Sequence, residues 1–518
     1  MPPMKQVSSL CSLAIQSFLK QLNFAIRRIM FRMLPFTGYG EEVWLSELEK
    51  AKSEFTKINH YMSLMPHSVL IECETQVMKM ANEVITDVLN TNSNTETILS
   101  RFELLCHFCL RSVIFPTQTS IQYPNTSTWD TRYALITNLD RLRNLTILNL
   151  EQGNFLPITS DIFVRSIKYL PKLQVFEYPL YSTDLVVQEI GQHCPEMRRL
   201  NVRKSANISH CSAEYLLKMR NLEYLDVSLT NISCVQYIDI LKNLPKVKNI
   251  AWRGLCEYVL SMLDRSRLQI IYNIDADLNI MTVVRLRCPN ITTLTLGGVV
   301  LQDVRSIARL RHLTSLSLYK LNFFTNALRF IFPELGPRLK KLVFDNIDKL
   351  DIRSVTQYCD NLESLIVQDC MFETSLGPDP ETLHFNNLRS LSMISNTVNE
   401  YWYISCLHYY KNLEVFHCGL MSEFSHFNLE SIVRQGGFST VKELLIAFCG
   451  SMDKRTVYLL LEHCPSLCVL GSLRKWSELT SLDISEIKAF IKRQNYDVEL
   501  SDSIPINWHI LVDIIVDH

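Results

Sequence analysis

Leu145-Thr146-Ile147-Leu148-Asn149-Leu150 sets apolar residues at its first, fourth and sixth places. The same spacing returns at Leu173/Phe176/Tyr178, Met197/Leu200/Val202, Leu222/Leu225/Val227 and Val247/Ile250/Trp252, with a degraded copy at Leu268/Ile271. It continues at Ile291/Leu294/Leu296, Leu313/Leu316/Leu318, Leu339/Leu342/Phe344, Leu362/Leu365/Val367 and Leu388/Leu391/Met393. The last copies are Leu413/Phe416/Cys418, Val441/Leu444/Ile446 and Leu467/Leu470. These fourteen hexamers start over an interval of 322 residues in thirteen steps, about 25 residues per step.

The spacing carries its own structural reading. Places four and six alternate as a strand requires, and the residue between them faces the other way. One unit cannot cover its apolar side, so neighbours must stack into a parallel sheet with a continuous core. Segments 161–170, 211–219 and 455–463 have helical spacing and end just before the next hexamer, which makes them outer helices. Eight places after the first apolar residue stand Thr230, Cys370, Asn396 and Cys449, which can satisfy backbone groups where the chain leaves the strand. Three places before it stand Cys194, Cys288, Cys359 and Cys464, read as small buried hydrophobes at helix ends. Over 145–475 the pattern resembles the cysteine-containing leucine-rich repeats of ubiquitin-ligase receptor proteins. The expected fold class is α/β, a leucine-rich-repeat solenoid with a curved parallel sheet and outer helices, preceded by an all-helical N-terminal domain.

Composition excludes several classes. Of 518 residues, 47% are apolar and 20% charged, enough for a large core. Lys and Arg number 52 against 53 Asp and Glu, so a globally basic nucleic-acid binder is not expected. Residues 1–33 scatter Lys5, Lys20, Arg27, Arg28 and Arg32 among apolar residues and do not read as a signal peptide. No apolar run is long enough to predict a membrane span. The 16 cysteines are spread along the chain and are expected to be reduced thiols, in a cytoplasmic or nuclear protein. Phosphate-loop, dinucleotide, zinc-protease and serine-hydrolase motifs are missing, so no catalytic residues, cofactor or metal are expected. The pair Cys106-His107-Phe108-Cys109 reads as helix core, and without a second pair at zinc spacing there is no RING.

Ahead of the repeats, 41–61, 68–89 and 97–115 read as helices, 90–96 as a polar break and 116–130 as an extended linker. The expected domains are 1–40, 41–130, 131–475 and a cap at 476–518 with a helix near 484–492. At the front, Val7, Leu10, Cys11 and Ile15 fall three and four apart and form one apolar stripe on a helix. The stripe resembles the elongin-binding box of cullin-RING substrate receptors, although Gln6 stands where that box usually has Ser, Thr or Pro. Met33-Leu34-Pro35-Phe36 resembles the cullin-selecting box that follows it, through Leu34 and Pro35. This order resembles the Zyg-eleven-related receptors, without their armadillo-like part, so their degron specificity is not carried over. A weaker match, Leu64-Met65-Pro66-His67-Ser68-Val69-Leu70, has the flavour of an F-box.

The resemblance implies a non-catalytic substrate-recognition subunit whose partners are elongin B and C, a cullin and substrate proteins, with no nucleic acid or membrane. The alternatives are an F-box-type receptor or an interaction scaffold with no ligase role. Recognition is expected on the concave face, at hexamer places three, five and seven. Arg199, Arg203, Tyr224, Arg253, Tyr272 and Tyr319 stand out there, because Arg and Tyr anchor interfaces and clustered Arg can read acidic segments.

Overall fold

The structure is a computed structural model. It describes residues 2–4, 10–65, 96–113, 119–122, 138–150, 161–252, 256–277, 287–297, 305–321, 330–350, 352–371, 385–394, 407–421 and 424–501, and single positions among 69–84 and at 284. The chain divides into two compact units, one of residues 7–247 and one of residues 1–6 with 248–518. Expected as one sheet, the strands form two, of five and eleven strands.

In the unit of 7–247, helices α1 (Leu10–Met33), α2 (Glu41–Ser63) and α3 (Glu96–Val113) come first. Each buries one stripe: Ile15, Leu22, Ile26, Ile29 and Met33 from α1, Trp44, Leu48, Ala51 and Phe55 from α2, and Leu105, Cys109 and Leu110 from α3. Arg32 reaches from α1 to Glu54 of α2 at 2.6 Å. Arg101 of α3 donates to the carbonyls of Thr37 and Tyr39 between α1 and α2, at 3.0 and 2.6 Å. Of the helix expected over 68–89, only single positions are described. Cys106 and Cys109 are fully buried, and burial pushes the Cys109 thiol up to about 12, which makes the pair helix core.

The sheet of this unit runs β1 (Ser120–Gln122), β2 (Ile147–Asn149), β3 (Val175–Glu177), β4 (Arg199–Asn201) and β5 (Tyr224–Asp226), all parallel and in sequence order. β1 is a correction: it lies in the stretch expected to be a linker, yet Ile121 pairs with Leu148 and is buried. The hexamer was not visible there because its first place, three residues before Ile121, is the polar Gln118.

The second unit carries β6 (Asn249–Ala251), β7 (Asn273–Asp277), β8 (Thr293–Gly297), β9 (Ser315–Leu321), β10 (Lys341–Ile347), β11 (Ser364–Gln368), β12 (Ser390–Ile394), β13 (Val415–Gly419), β14 (Glu443–Ala447), β15 (Val469–Gly471) and β16 (Glu499–Ser501), again parallel and in order. The degraded hexamer is corrected by the register. Ile274 pairs with Ile250 and Leu294, so the copy in phase is Ile271/Ile274/Ala276, three residues later than Leu268/Ile271 suggests. The cap helix spans Ser481–Arg493 and starts with a Thr480–Asp483 capping box. It leads into β16, which adds a strand beyond the last hexamer.

Places one, four and six of the described copies are buried, except the half-buried Trp252; Leu200, Leu225, Leu294, Leu316, Leu342 and Leu444 have no exposed surface. Each such leucine contributes roughly 1.5–3 kcal/mol of burial. Facing residues of the outer helices, such as Val187 and Ile190 of Asp184–His193 or Leu460 and Leu461 of Lys454–His463, complete the core. Cys194, Cys288, Cys359 and Cys464 are buried at the ends of those segments, and burial pushes each thiol up to about 12. They are therefore protonated core atoms. The Thr230 hydroxyl donates to the Val227 carbonyl at 2.7 Å, and the thiols of Cys370 and Cys449 lie 3.1 and 3.5 Å from the carbonyls of Gln368 and Ala447. Asn396 lies outside the described residues.

Two further regularities stitch the repeats together. Just before the first apolar place stand Asn221, Asn290, Asn361, Asn387 and Asn412. Their side-chain amides donate to carbonyls of the preceding repeat, those of Pro195, Gln269, Pro337, Asp360 and Asn386, at 2.7–3.1 Å. At the eighth place the backbone is left-handed in residues that are not glycine: Leu180, Lys204, Leu229, Lys320, Asn346, Asp369, Leu420 and Phe448. That conformation costs roughly 1–2 kcal/mol for a residue with a Cβ.

Candidate recognition surface

With one side of each sheet sealed by the outer segments, the other side presents places three, five and seven. In the unit of 7–247 the side chains of β2 to β5 on this face form a linked row. Asn149 on β2 donates to Glu177 on β3 at 2.5 Å. Glu177, 6% exposed, accepts from the guanidinium of Arg199 on β4. That guanidinium stacks on the ring of Tyr224 on β5, 3.9 Å from its centroid. A planar cation between a carboxylate and an aromatic face is held in one orientation. Asp226, at place five of β5, is buried and accepts from the amide and hydroxyl of Ser228 at 3.0 and 2.6 Å. The Arg203 amide is turned by the Asn201 side chain at 3.3 Å. Arg199, Arg203 and Tyr224 all remain half-buried at the surface, and the structure brings Arg199 and Tyr224 together.

The second unit builds a different surface. The ring of Tyr319, place seven of β9, lies across Gly297, its register partner on β8. A Cβ at Gly297 would stand 2.0 Å from the Tyr319 ring. The bare glycine lets the Tyr319 hydroxyl reach Asp275 on β7 at 3.3 Å. On the other flank, Asp345 pairs with Tyr319 in register and is buried, with Oδ1 accepting no hydrogen bond from the described residues. Burial, aided by the charge of Asp369 and opposed by Lys320, pushes the Asp345 carboxyl up to about 7. Towards β14 the face closes: Ile366, Gln368, Ser392, Ile394, His417, Leu445 and Ala447 are all buried. His417 bonds Glu443 at 3.0 Å, and that bond holds the Glu443 carboxyl below its usual range, against burial.

Tyr272 is a correction. The shift of its hexamer puts it one residue ahead of β7, at place two, so Asn273 and Asp275 take the outward places assigned from the sequence to its copy. Arg253 and Val7 lie outside the described residues, as do the side chains of Leu10 and Cys11, whose backbones open α1. Ile15 is 5% exposed and belongs to the interior of its own unit. Leu34 and Pro35 sit in the 3-10 turn Leu34–Gly38 that follows α1, Leu34 half-buried and Pro35 exposed. Leu64 caps the end of α2, and Pro66-His67-Ser68 of the F-box-like stretch lies outside the described residues.

At the N-terminal edge of the second sheet the second places alternate in charge. Lys340 meets Glu363 at 3.1 Å, and Lys442 meets Glu414 at 2.7 Å, with Arg389 between the pairs. A polar cleft of ≈ 330 Å³ opens there, lined by Asn387, Arg389, Asn412, Glu414, Thr440, Lys442 and Ser466. The alternation was legible in the sequence at a period of one repeat but is invisible to a search for local motifs. Among the described residues, no group of three or more His, Cys, Asp or Glu is placed to hold a metal ion. No described helix is long and apolar enough to cross a membrane.

No protein-family model matches the chain, and no curated protein matches it. Solved structures with a similar fold include an internalin from Listeria monocytogenes, with 13% identity, 66% of this chain and 91% of that chain covered, and a TM-score of 0.34. The yeast Rad7 and Elc1 complex matches at 14% identity, over 61% of this chain and 83% of that one, with a TM-score of 0.36. A leucine-rich-repeat protein of Leptospira interrogans matches at 13%, over 74% of this chain and 100% of that one, with a TM-score of 0.25. The chain's own ladder of parallel strands, one per repeat, identifies the fold as a leucine-rich-repeat solenoid preceded by helices.

Proposed function

We propose that this chain is the non-catalytic substrate-recognition subunit of a cullin-RING ubiquitin ligase. The helix-free faces of the repeats take the target protein, and the front of α1 takes elongin B and C. The reading is carried by an ordered constellation. Leu10 and Cys11 open α1, and the Leu34-Pro35 turn follows its last residue, Met33. That order, helix then proline turn, is the order of an elongin box and a cullin box. Target binding falls to the oriented Arg199–Tyr224 pair with Arg203 beside it, a basic and aromatic surface suited to an acidic segment. A second reading, a scaffold with no ligase role, is favoured by the burial of Ile15, which removes one residue of the stripe from contact. The adaptor contact therefore rests on Val7, Leu10 and Cys11.

Purified full chain and elongin B/C, mixed and resolved by size-exclusion chromatography, separate the two readings. The receptor reading expects co-elution with the wild type and its loss with Leu10→Ala plus Cys11→Phe, at an unchanged melting temperature. Co-elution absent from the wild type, or retained by the variant, ends the receptor reading and leaves the scaffold.

A further inference from the structure

Two sulfurs of the second unit meet across neighbouring repeats: the Sγ atoms of Cys418 and Cys449 lie 3.6 Å apart. Cys418 stands in β13 at place six, the one cysteine at that place among the fourteen hexamers, and has no exposed surface. Cys449 follows the end of β14 and is half-buried, so solvent reaches this residue but not its partner. Hydrogen bonds hold the backbone on both sides of the contact. Cys418 pairs with Ile446 in register, the Leu420 amide donates to the Ala447 carbonyl at 3.1 Å, and the Gly450 amide donates to the Met421 carbonyl at 3.2 Å. Cys194, Cys288, Cys359 and Cys464 recur at one place of the repeat as core atoms. Cys418 and Cys449 stand at other places, and what joins them is the sulfur contact.

We propose that Cys418 and Cys449 are an oxidation site, a thiol pair that hydrogen peroxide converts to a disulfide. The deprotonated Cys449 sulfur attacks one peroxide oxygen, the O–O bond breaks, and the second oxygen leaves as water, which makes Cys449 a sulfenic acid. The Cys418 sulfur then attacks the Cys449 sulfur. The S–S bond forms, the S–O bond breaks, and the hydroxyl leaves as water with the Cys418 proton. The two thiols lose two electrons and the peroxide takes both. A disulfide holds its sulfurs at ~2.05 Å, so the pair closes by about 1.5 Å, through rotation of the Cys449 side chain beyond the strand end. The bond would tie two repeats together across 31 residues of chain. The reaction is independent of elongin binding.

The two cysteines fall alone in separate tryptic peptides, 412–434 and 443–454, so mass spectrometry identifies the bond without ambiguity. The full chain is reduced, freed of reductant, treated with hydrogen peroxide under native conditions, blocked with N-ethylmaleimide and digested without reductant. The expected product is 412–434 linked to 443–454, lost on treatment with dithiothreitol. With Cys418→Ser the sulfenic acid has no thiol to meet, so labelling of Cys449 by dimedone during oxidation is expected to rise roughly tenfold over wild type. The wild-type peptide map needs no variant and stands even if Cys418→Ser fails to fold. Absence of the linked pair from the native wild type, its formation only in urea, or a yield no higher than that of other cysteine pairs overturns the proposal. So does equal dimedone labelling of Cys449 in wild type and a folded Cys418→Ser protein.

Discussion

The ring of Tyr319 lies over Gly297, its register partner on the neighbouring strand, and its hydroxyl thereby reaches Asp275 two strands away. Position, not flexibility, selects this glycine. Gly297→Ala is expected to cost about 1–3 kcal/mol by overpacking. In a Tyr319→Ala background the same change should cost little, and urea denaturation of the four proteins measures the difference as a coupling energy.

Asp345 sets a pH dependence. Its folded-state carboxyl titrates at about 7, above the ordinary value of 3.8, chiefly because it is buried. Below pH 3.8 both folded and unfolded forms hold the proton and the stability is complete. Between about 4 and 7 the unfolded form has lost the proton that the folded form keeps, so stability falls as pH rises, and it levels off above 7. Asp345→Asn is expected to raise stability at pH 8, on the order of 1–3 kcal/mol, and by less at pH 5. Thermal melts at the two pH values check this; an equal shift at both would contradict it.

The Glu177–Arg199–Tyr224 row predicts strong coupling. Arg199→Ala leaves the buried Glu177 carboxylate with only Asn149 as a described side-chain partner and is expected to cost about 1–3 kcal/mol. Glu177→Gln in the same chain should recover part of that loss. Arg199→Lys keeps the charge but loses the flat stack on Tyr224 and should resemble Arg199→Ala in partner binding more than in stability. Chemical denaturation and a partner-binding titration separate the two effects.

The asparagine ladder predicts additivity. Asn361→Ala and Asn412→Ala each remove one side-chain bond to the preceding repeat and should each cost about 0.5–1.5 kcal/mol. They are two repeats apart and share no partner, so the double variant should lose the sum, within ~0.5 kcal/mol, in equilibrium unfolding.

Cysteine chemistry distinguishes core from surface. Cys211 and Cys468 are exposed, whereas Cys194, Cys288, Cys359 and Cys464 are buried with thiols raised to about 12. Brief alkylation of the native protein at pH 8 should label the first two and spare the other four, as read by peptide mass spectrometry.

The fold was legible because each repeat repays the same packing problem with the same apolar spacing. It was hardest to read where a strand is short of apolar residues. The copy at β1 has the polar Gln118 at its first place, and β7 fills its sixth place with Ala276, so a hexamer search missed the first, settled three residues early at the second and carried Tyr272 onto a face it does not occupy. The site was only partly legible. Residue type and place singled out Arg199 and Tyr224, but the stack between them and its anchor on Glu177 depend on strand register. The contact between Tyr319 and Asp275 spans 44 residues and rests on the missing side chain of Gly297. The left-handed eighth place was not legible at all, since leucine and lysine give no turn signal.

Within each of the two units, between residues 120 and 501, the chain lays down one parallel strand per repeat in one register. An experimental density map across β6, β7 and β8 tests this where the apolar spacing of the repeat is most degraded. The expected map has Ile274 directly between Ile250 and Leu294, with Tyr272 ahead of the strand. A map with Ile271 in that place, or with β7 antiparallel to its neighbours, would contradict it.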